Sequence, residues 1–222
     1  MNLHKNLNPK LWDEDRLNPK VRKLLLKICD LWLKFCKVKK TYVKDIILTG
    51  SNANYNYTDL SDVDVHIVVD KSVFDCDEFI DEYFVDKKKL FTDAYQLHIH
   101  SHTVELFFQD YKEEIVTNQG VFSLISNSWI RKPTRNYPIP NDNLIIKKAK
   151  MFYRMILLVL KTNNIKKIKS LKNRIRNYRK SGLTHEGEYS VENLVYKKLR
   201  RTKIFQKIDD KIAEIIHRKY SI

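Results

Sequence analysis

The stretch Gly50-Ser51-Asn52-Ala53-Asn54-Tyr55-Asn56-Tyr57-Thr58-Asp59-Leu60-Ser61-Asp62-Val63-Asp64 decides the reading of this chain. It opens where the apolar run Ile46-Ile47-Leu48-Thr49 stops at a Gly-Ser pair. It closes on two carboxylates, one residue apart, inside a second apolar run that continues Val65-His66-Ile67-Val68-Val69. The alternating β-branched residues predict a strand over 63–69, and the first run predicts one over 44–48. Between them, residues 51–60 carry almost no aliphatic side chain, which predicts a short helical turn and a loop. Strand side chains alternate, so Asp62 and Asp64 are expected on one face, about 7 Å apart. Acids among Val63, Val65, Ile67, Val68 and Val69 are costly unless paired or metal-bound. Asp59 and Asp70 read as ordinary loop and strand-end acids.

Working outward, a further acid, Glu105, sits inside Thr103-Val104-Glu105-Leu106-Phe107-Phe108. Strands are predicted near 94–100 and 103–109, with Ser101-His102 as the turn of a hairpin. Glu105 then faces either the acid pair, if its strand neighbours theirs, or solvent on an edge. His98, His100 and His102 form His-x-His-x-His, a metal pattern only if one strand runs through all of them; the predicted turn breaks that face, so they read as polar strand-end residues. His66 shares the face of Asp64 and reads as structural. Tyr55 and Tyr57 either stack on a base or belong to a surface loop.

Upstream, Asn18-Pro19 predicts a helix start. Leu24, Leu25, Ile28, Leu31, Trp32 and Phe35 then recur at helical spacing. Leu-Asn-Pro-Lys occurs at 7–10 and again at 17–20, which reads as two helix starts. A surface helix is predicted over 75–89. Residues 120–131 read as a helix and a strand or as two short strands. Pro133, Pro138 and Pro140 mark a crossing, after which helices are predicted near 143–162, 164–181, 190–203 and 206–219. Gly182 is expected to separate the second from the third, and Ser190 to cap the third. The fold class is α+β: a small mixed sheet with flanking helices over 1–140, then a helical part over 141–222.

The chain has 222 residues, 43% apolar and 31% charged, with few Gly and Pro, as expected of a globular protein with a real core. No stretch is long and apolar enough to span a membrane, and the start lacks the apolar core of a signal peptide. Cys29, Cys36 and Cys76 show no metal-type spacing; their odd number fits a reducing, cytoplasmic compartment, and Cys29 and Cys36 are expected to face the core. The formal charge of +15 is unevenly spread: residues 1–140 hold 20 Lys/Arg and 20 Asp/Glu, whereas 141–222 hold 22 and 7. From Asn143 to His185 there is no acid. A neutral front and a basic back suggest a catalytic unit joined to a polyanion-binding one.

Clustered carboxylates from Asp62, Asp64 and Glu105 would repel one another without divalent cations, and such ions also bind triphosphate oxygens. Glycine at 50 lets a backbone approach phosphate, and the Ser51 hydroxyl adds a donor. An apolar strand, Gly50-Ser51, an interval of about ten residues, Asp62-Val63-Asp64 and then Val104-Glu105-Leu106 together resemble the DNA polymerase β-like nucleotidyltransferase superfamily over residues 40–110. Ser61 before the first acid matches too, and Leu11-Trp12-Asp13 and Glu186-Gly187-Glu188-Tyr189-Ser190 resemble uncharacterised viral-type members.

The resemblance implies transfer of a nucleoside monophosphate from an NTP such as ATP to a hydroxyl, with release of pyrophosphate. It implies Mg²⁺ or Mn²⁺ on Asp62, Asp64 and Glu105, and the nucleotide at Gly50, Ser51 and Ser61. In-line displacement at phosphorus needs charge neutralisation and alignment more than covalent help.

In the back half, Lys166, Lys167, Lys169, Lys172, Arg174, Arg176, Arg179 and Lys180 crowd one predicted helix, with Ile165, Ile168, Leu171, Ile175 and Tyr178 as its apolar face. They read as a nucleic-acid-binding surface, against the plainer alternative of a solvated face in a lysine-rich protein. No groove-reading motif is present, so sequence-specific DNA binding is not supported. The favoured acceptor is RNA, for example at a 3′ end. The alternatives are nucleotide transfer to a protein hydroxyl and a binding module whose transferase site is inactive.

Overall fold

The Asn18 side chain accepts a hydrogen bond from the Lys20 amide and Pro19 follows at the first helical position, so α1 (Pro19–Phe35) begins where its caps predict. The computed structural model describes residues 4–59, 61–74, 77–113, 120–135 and 141–220. They divide into two compact units, residues 1–135 and 136–222. The expected functional division at 140, with Pro138 and Pro140, lies outside the described residues, as does Cys76.

In the first unit a short ribbon, β1 (Trp12–Asp13) with β2 (Arg16–Leu17), precedes α1. The first Leu-Asn-Pro-Lys is therefore not a helix start. Asn8 closes a turn instead, its side chain accepting from the Lys10 amide and its carbonyl from the amides of Leu11 and Trp12. Then come β3 (Val43–Thr49), β4 (Val63–Val69), α2 (Asp77–Ala94), β5 (His98–Ile99), β6 (His102–Asp110), β7 (Val121–Ser123) and β8 (Ser128–Arg131). The last two settle residues 120–131 as two short strands. The strands form one mixed sheet in the order β5-β6-β4-β3-β7-β8, in which β4 and β6 run parallel and every other pair antiparallel. The fold is α+β.

β4 shows why the sheet has two unlike faces. Val63, Val65, Ile67 and Val69 are fully buried, while Asp64, His66 and Val68 between them are only partly so. The buried set joins Val104 and Leu106 of β6 and Leu25, Ile28, Cys29 and Trp32 of α1 in one core. Each such aliphatic side chain contributes about 1.5–3 kcal/mol. Leu24 and Leu31, expected on this apolar face, are exposed instead, because the stripe that meets the sheet runs through Leu25 and Trp32. Both Cys29 and Cys36 are buried, and burial pushes their thiols up to about 12.

α2 extends past its predicted end, and the predicted strand at 94–100 shrinks to two residues. Phe84 and Phe91, seven apart, supply a continuing helical face, and Phe91 meets the Trp32 ring edge-on at 4.8 Å. The hairpin turn is His100-Ser101, with His100 at φ 52, and not Ser101-His102. His102 opens β6 and is buried.

The second unit is helical: α3 (Asp142–Leu160), α4 (Ile165–Glu186), α5 (Val191–Arg201) and α6 (Ile204–Tyr220). Ser190 caps α5 as expected, accepting from the Asn193 amide. Gly182 does not break α4; it is buried inside it, and α4 ends at Gly187, whose φ of 74 suits glycine. A Cβ at Gly182 would lie 2.5 Å from Cβ of Glu192 and 2.6 Å from Oγ of Ser190. Gly182→Ala is therefore expected to destabilise the protein by about 1–3 kcal/mol, although alanine is the better helix former. A lowered denaturant midpoint checks this. No described helix is long and apolar enough to cross a membrane.

Candidate active site

β3 hands the chain to the site at Thr49, which pairs across the ladder with Asp64. Gly50 follows at φ 77 and ψ −167, a conformation open in practice to glycine alone. A Cβ built on Gly50 would lie 2.0 Å from Oδ2 and 2.8 Å from Cγ of Asp64. The Asp64 carboxylate thus fills the space where a side chain at 50 would stand. Ser51–Ala53 form a single 3₁₀ turn closed by the Ala53 amide on the Gly50 carbonyl at 3.1 Å. This is the short helical turn expected after Gly50, and a single turn offers little dipole.

Parallel pairing sets Asp64 of β4 directly beside Glu105 of β6, on strands about 4.8 Å apart. Alternation keeps Asp64 and His66 of β4, with Glu105, Phe107 and Gln109 of β6, on the face opposite the core. Glu105 therefore faces the Asp64 side of the sheet. Asp62 lies one residue before β4, so its side chain is governed by the preceding loop as much as by strand alternation. Among the described residues, no three His, Cys, Asp or Glu side chains converge closely enough to hold a metal ion.

A group the sequence reading missed also stands at this site. Lys88 of α2 donates to Oε2 of Glu105 at 3.1 Å, and its Nζ stands 3.3 Å over the Phe107 ring. Both partners of the ion pair are about 30% exposed, at 28% and 30%. The donors themselves, Asp64 and Glu105 side by side with Asp62 adjacent in sequence, are hard oxygen ligands that suit Mg²⁺ or Mn²⁺. Next along this face, His66 Nδ1 donates to Oε1 of Gln109 at 2.8 Å, and burial lowers its pKa below the usual imidazole value.

The loop between Gly50 and Asp62 is held from beneath by a buried polar network. Asn52 Nδ2 donates to the carbonyls of Asp62 at 2.9 Å and Ser61 at 3.3 Å, and Trp12 Nε1 donates to the Asn52 carbonyl at 2.7 Å. Asn8 Nδ2 reaches Oδ1 of Asn52 at 2.8 Å and Nε2 of His102 at 3.0 Å. His102 Nδ1 meets the Ser61 carbonyl at 2.7 Å. A carbonyl only accepts, so Nδ1 carries the proton and Nε2 accepts from Asn8. His102 is thus a neutral structural residue, while His98 and His100 are exposed and no shared metal face exists among them.

His102→Phe would remove one of the two hydrogen bonds on the Ser61 carbonyl and one of the two made by the Asn8 amide, Asn52 keeping the others. It is expected to cost about 1–2 kcal/mol, read as a lower unfolding free energy in urea. Ser61 itself accepts from the Thr58 amide at 2.9 Å through its hydroxyl. Tyr57 stacks on His4 at 3.9 Å, and Arg135 lies 4.6 Å over Tyr55, so both rings pack within the protein.

In the second unit the basic residues expected on one surface are distributed around α4. Ile168, Leu171, Ile175 and Gly182 face the helical core. Lys167 and Arg174 lie on one flank, where Arg174 and Tyr178 meet Lys148, Met151 and Phe152 of α3 around a recess of about 390 Å³. Lys169, Lys172, Arg176, Arg179 and Lys180 lie on the other, where Arg176, Arg179, Lys180 and Leu183 meet Tyr196 of α5 around a recess of about 400 Å³. Lys166 points away from the core between the flanks. Lys172 is only 15% exposed and pairs with Asp209 of α6.

Compared with known proteins, residues 21–124 match the family model described as the nucleotidyltransferase domain, a span that contains α1, Gly50, the acid pair and Glu105. No curated protein and no solved structure matches the chain.

Proposed function

Residues 21–124 being a nucleotidyltransferase domain of the DNA polymerase β-like superfamily, we propose that this protein moves a nucleoside monophosphate from an NTP to a hydroxyl, and that the acceptor is RNA. The observation that carries the first part is the placement of Asp64 between Gly50 and Glu105: a carboxylate in van der Waals contact with a glycine turn and in register with a second acid.

In this reading Asp62, Asp64 and Glu105 hold divalent magnesium or manganese. When bound, such a cation neutralises the triphosphate and lowers the pKa of the attacking hydroxyl. Gly50 and Ser51 take the β- and γ-phosphates, with Ser61 on the same loop. The network beneath the loop keeps Asp62 in place relative to Gly50, so alignment comes from the scaffold. Glu105 would ligate the cation that activates the attacking hydroxyl, and so favour loss of that hydroxyl's proton.

RNA is supported as acceptor by the charge surplus, all of which lies in residues 141–222. The buried thiols of Cys29 and Cys36 fit a reducing, cytoplasmic setting.

The test is to incubate the protein with each α-labelled NTP and Mg²⁺, with total RNA or total protein. Label in RNA is the expected result. Label in polypeptide replaces the acceptor by protein, and no label with either pool removes the catalytic reading.

Lys88 gives a separate check on the acids. Lys88→Met removes the cation that Mn²⁺ must compete with at Glu105. It is expected to tighten Mn²⁺ binding by about threefold to tenfold in calorimetry, an effect of ~1 kcal/mol, as suits a partly exposed pair.

A further inference from the structure

Arg179 of α4 is fixed by a neutral partner, where Lys172 is held by the Asp209 carboxylate. The Arg179 Nε donates to Oδ1 of Asn193 at 3.0 Å, and Asn193 is fully buried and donates in turn to the Glu188 carbonyl at 2.7 Å. Its guanidinium carbon lies 4.5 Å over the Tyr196 ring, and Tyr196 stacks on Phe205 at 4.8 Å with 28° between the planes. The Tyr196 ring thus meets both Phe205 and the Arg179 guanidinium, and Arg179 also lines the recess of about 400 Å³. Arg176 and Lys180, one helical turn apart and both exposed, line the same recess. Neither has a carboxylate partner among the described residues.

We propose that this recess between α4 and α5 binds single-stranded nucleic acid. One base adds to the guanidinium plane of Arg179, and successive phosphates lie on Arg176 and Lys180. The inference deepens the acceptor part of the proposed function and rests on that reading.

The chemistry selects this ligand over other anions. An acidic peptide would engage the edge of a guanidinium, and Asn193 already occupies the Nε part of that edge; a flat aromatic ring needs only its plane. Residues four apart on a helix hold their Cβ atoms about 5–6 Å apart, so Arg176 and Lys180 offer two anion positions, where a lone mononucleotide needs one. A base inside a duplex is already stacked on both sides and cannot add to Arg179. Because the guanidinium is held before the ligand arrives, little side-chain entropy is lost on binding. The recess on the other flank is weaker by the same criteria: Lys148 there is drawn toward Glu192, at 3.9 Å.

The test is fluorescence anisotropy of a short labelled oligoadenylate single strand with the full chain, across a salt series, each variant first checked for folding by circular dichroism. Arg176→Gln with Lys180→Gln should weaken binding about tenfold or more. It should also lower the slope of log K against log salt by about 1.4, the share of two phosphate contacts on a single strand. Arg179→Lys, which keeps the charge and loses the plane, should weaken binding about tenfold and leave that slope unchanged. Lys147→Gln with Lys150→Gln, an equal loss of charge on exposed α3 positions, should change affinity by less than about threefold.

The site is overturned if Arg179→Lys binds like the wild type, if Lys167→Gln with Arg174→Gln costs more than Arg176→Gln with Lys180→Gln, if a duplex binds as tightly as the single strand, or if the wild type does not bind. Label transfer to RNA would still uphold the acceptor reading in those cases. Label in polypeptide alone, with recess binding intact, would remove that reading and leave the site standing.

Discussion

Asp64→Asn is expected to lower nucleotidyl transfer by at least about a thousandfold, a loss of ~4 kcal/mol of transition-state stabilisation. Asparagine has nearly the shape of aspartate, so the side chain still fills the space above Gly50 and the β4 ladder is undisturbed. What disappears is the negative charge beside Glu105. A variant that still melts as a folded protein has lost chemistry and not its fold. Single-turnover transfer and thermal denaturation on the same preparation separate the effects. A parallel Asp70→Asn variant provides the control: among the described residues the Asp70 side chain bonds to the amide and hydroxyl of Ser72, and its loss should leave transfer unchanged. Retention of more than about a tenth of the activity by Asp64→Asn would remove that carboxylate from the reaction.

Gly50→Ala is expected to damage stability and activity together. The residue sits at φ 77 and ψ −167, which costs an L-amino acid about 1–3 kcal/mol. The added methyl would also stand 2.0 Å from Oδ2 of Asp64, far inside contact distance, so the carboxylate has to move. A total destabilisation of about 2–4 kcal/mol follows, read from urea unfolding. A shift of about 1 Å in a group that aligns the reaction costs about a hundredfold in rate, so kcat should fall by that order even where the variant is fully folded. The combination is diagnostic. A glycine needed only for phosphate approach would show a raised KM for NTP and near-normal stability, whereas one needed to seat Asp64 shows reduced stability and reduced kcat.

Much of the fold could be read from local chemistry. Residues 63–69 alternate strictly because one face of β4 is buried and the other carries the acids, and Asn18 and Ser190 are caps whose partners lie within three residues. The neighbouring register of Asp64 and Glu105 was only conditional in the sequence, because nothing local states which strands pair.

What escaped the sequence depends on contacts between distant segments. Asn8 and His102 are 94 residues apart, and neither carries a local mark of its role. Lys88 looks like one of a run of surface lysines until α2 is seen to bring it to Glu105. Gly182 has the local character of a helix breaker, yet it serves the close approach of α4 to the start of α5. Leu24 and Leu31 have the right residue type but fall just off the stripe that meets the sheet. On α4 the charge count was legible, but its partition between two flanks and the withdrawal of Lys172 by Asp209 required the helix packing.

The tether formed by Asn8 and Trp12 on Asn52 gives the amino-terminal arm a remote influence over chemistry it does not touch. A protease that nicked the backbone between those two anchors is expected to loosen the loop before Asp62 while leaving every acid of the sheet intact, since the Asn8 anchor would then be held by noncovalent contacts alone.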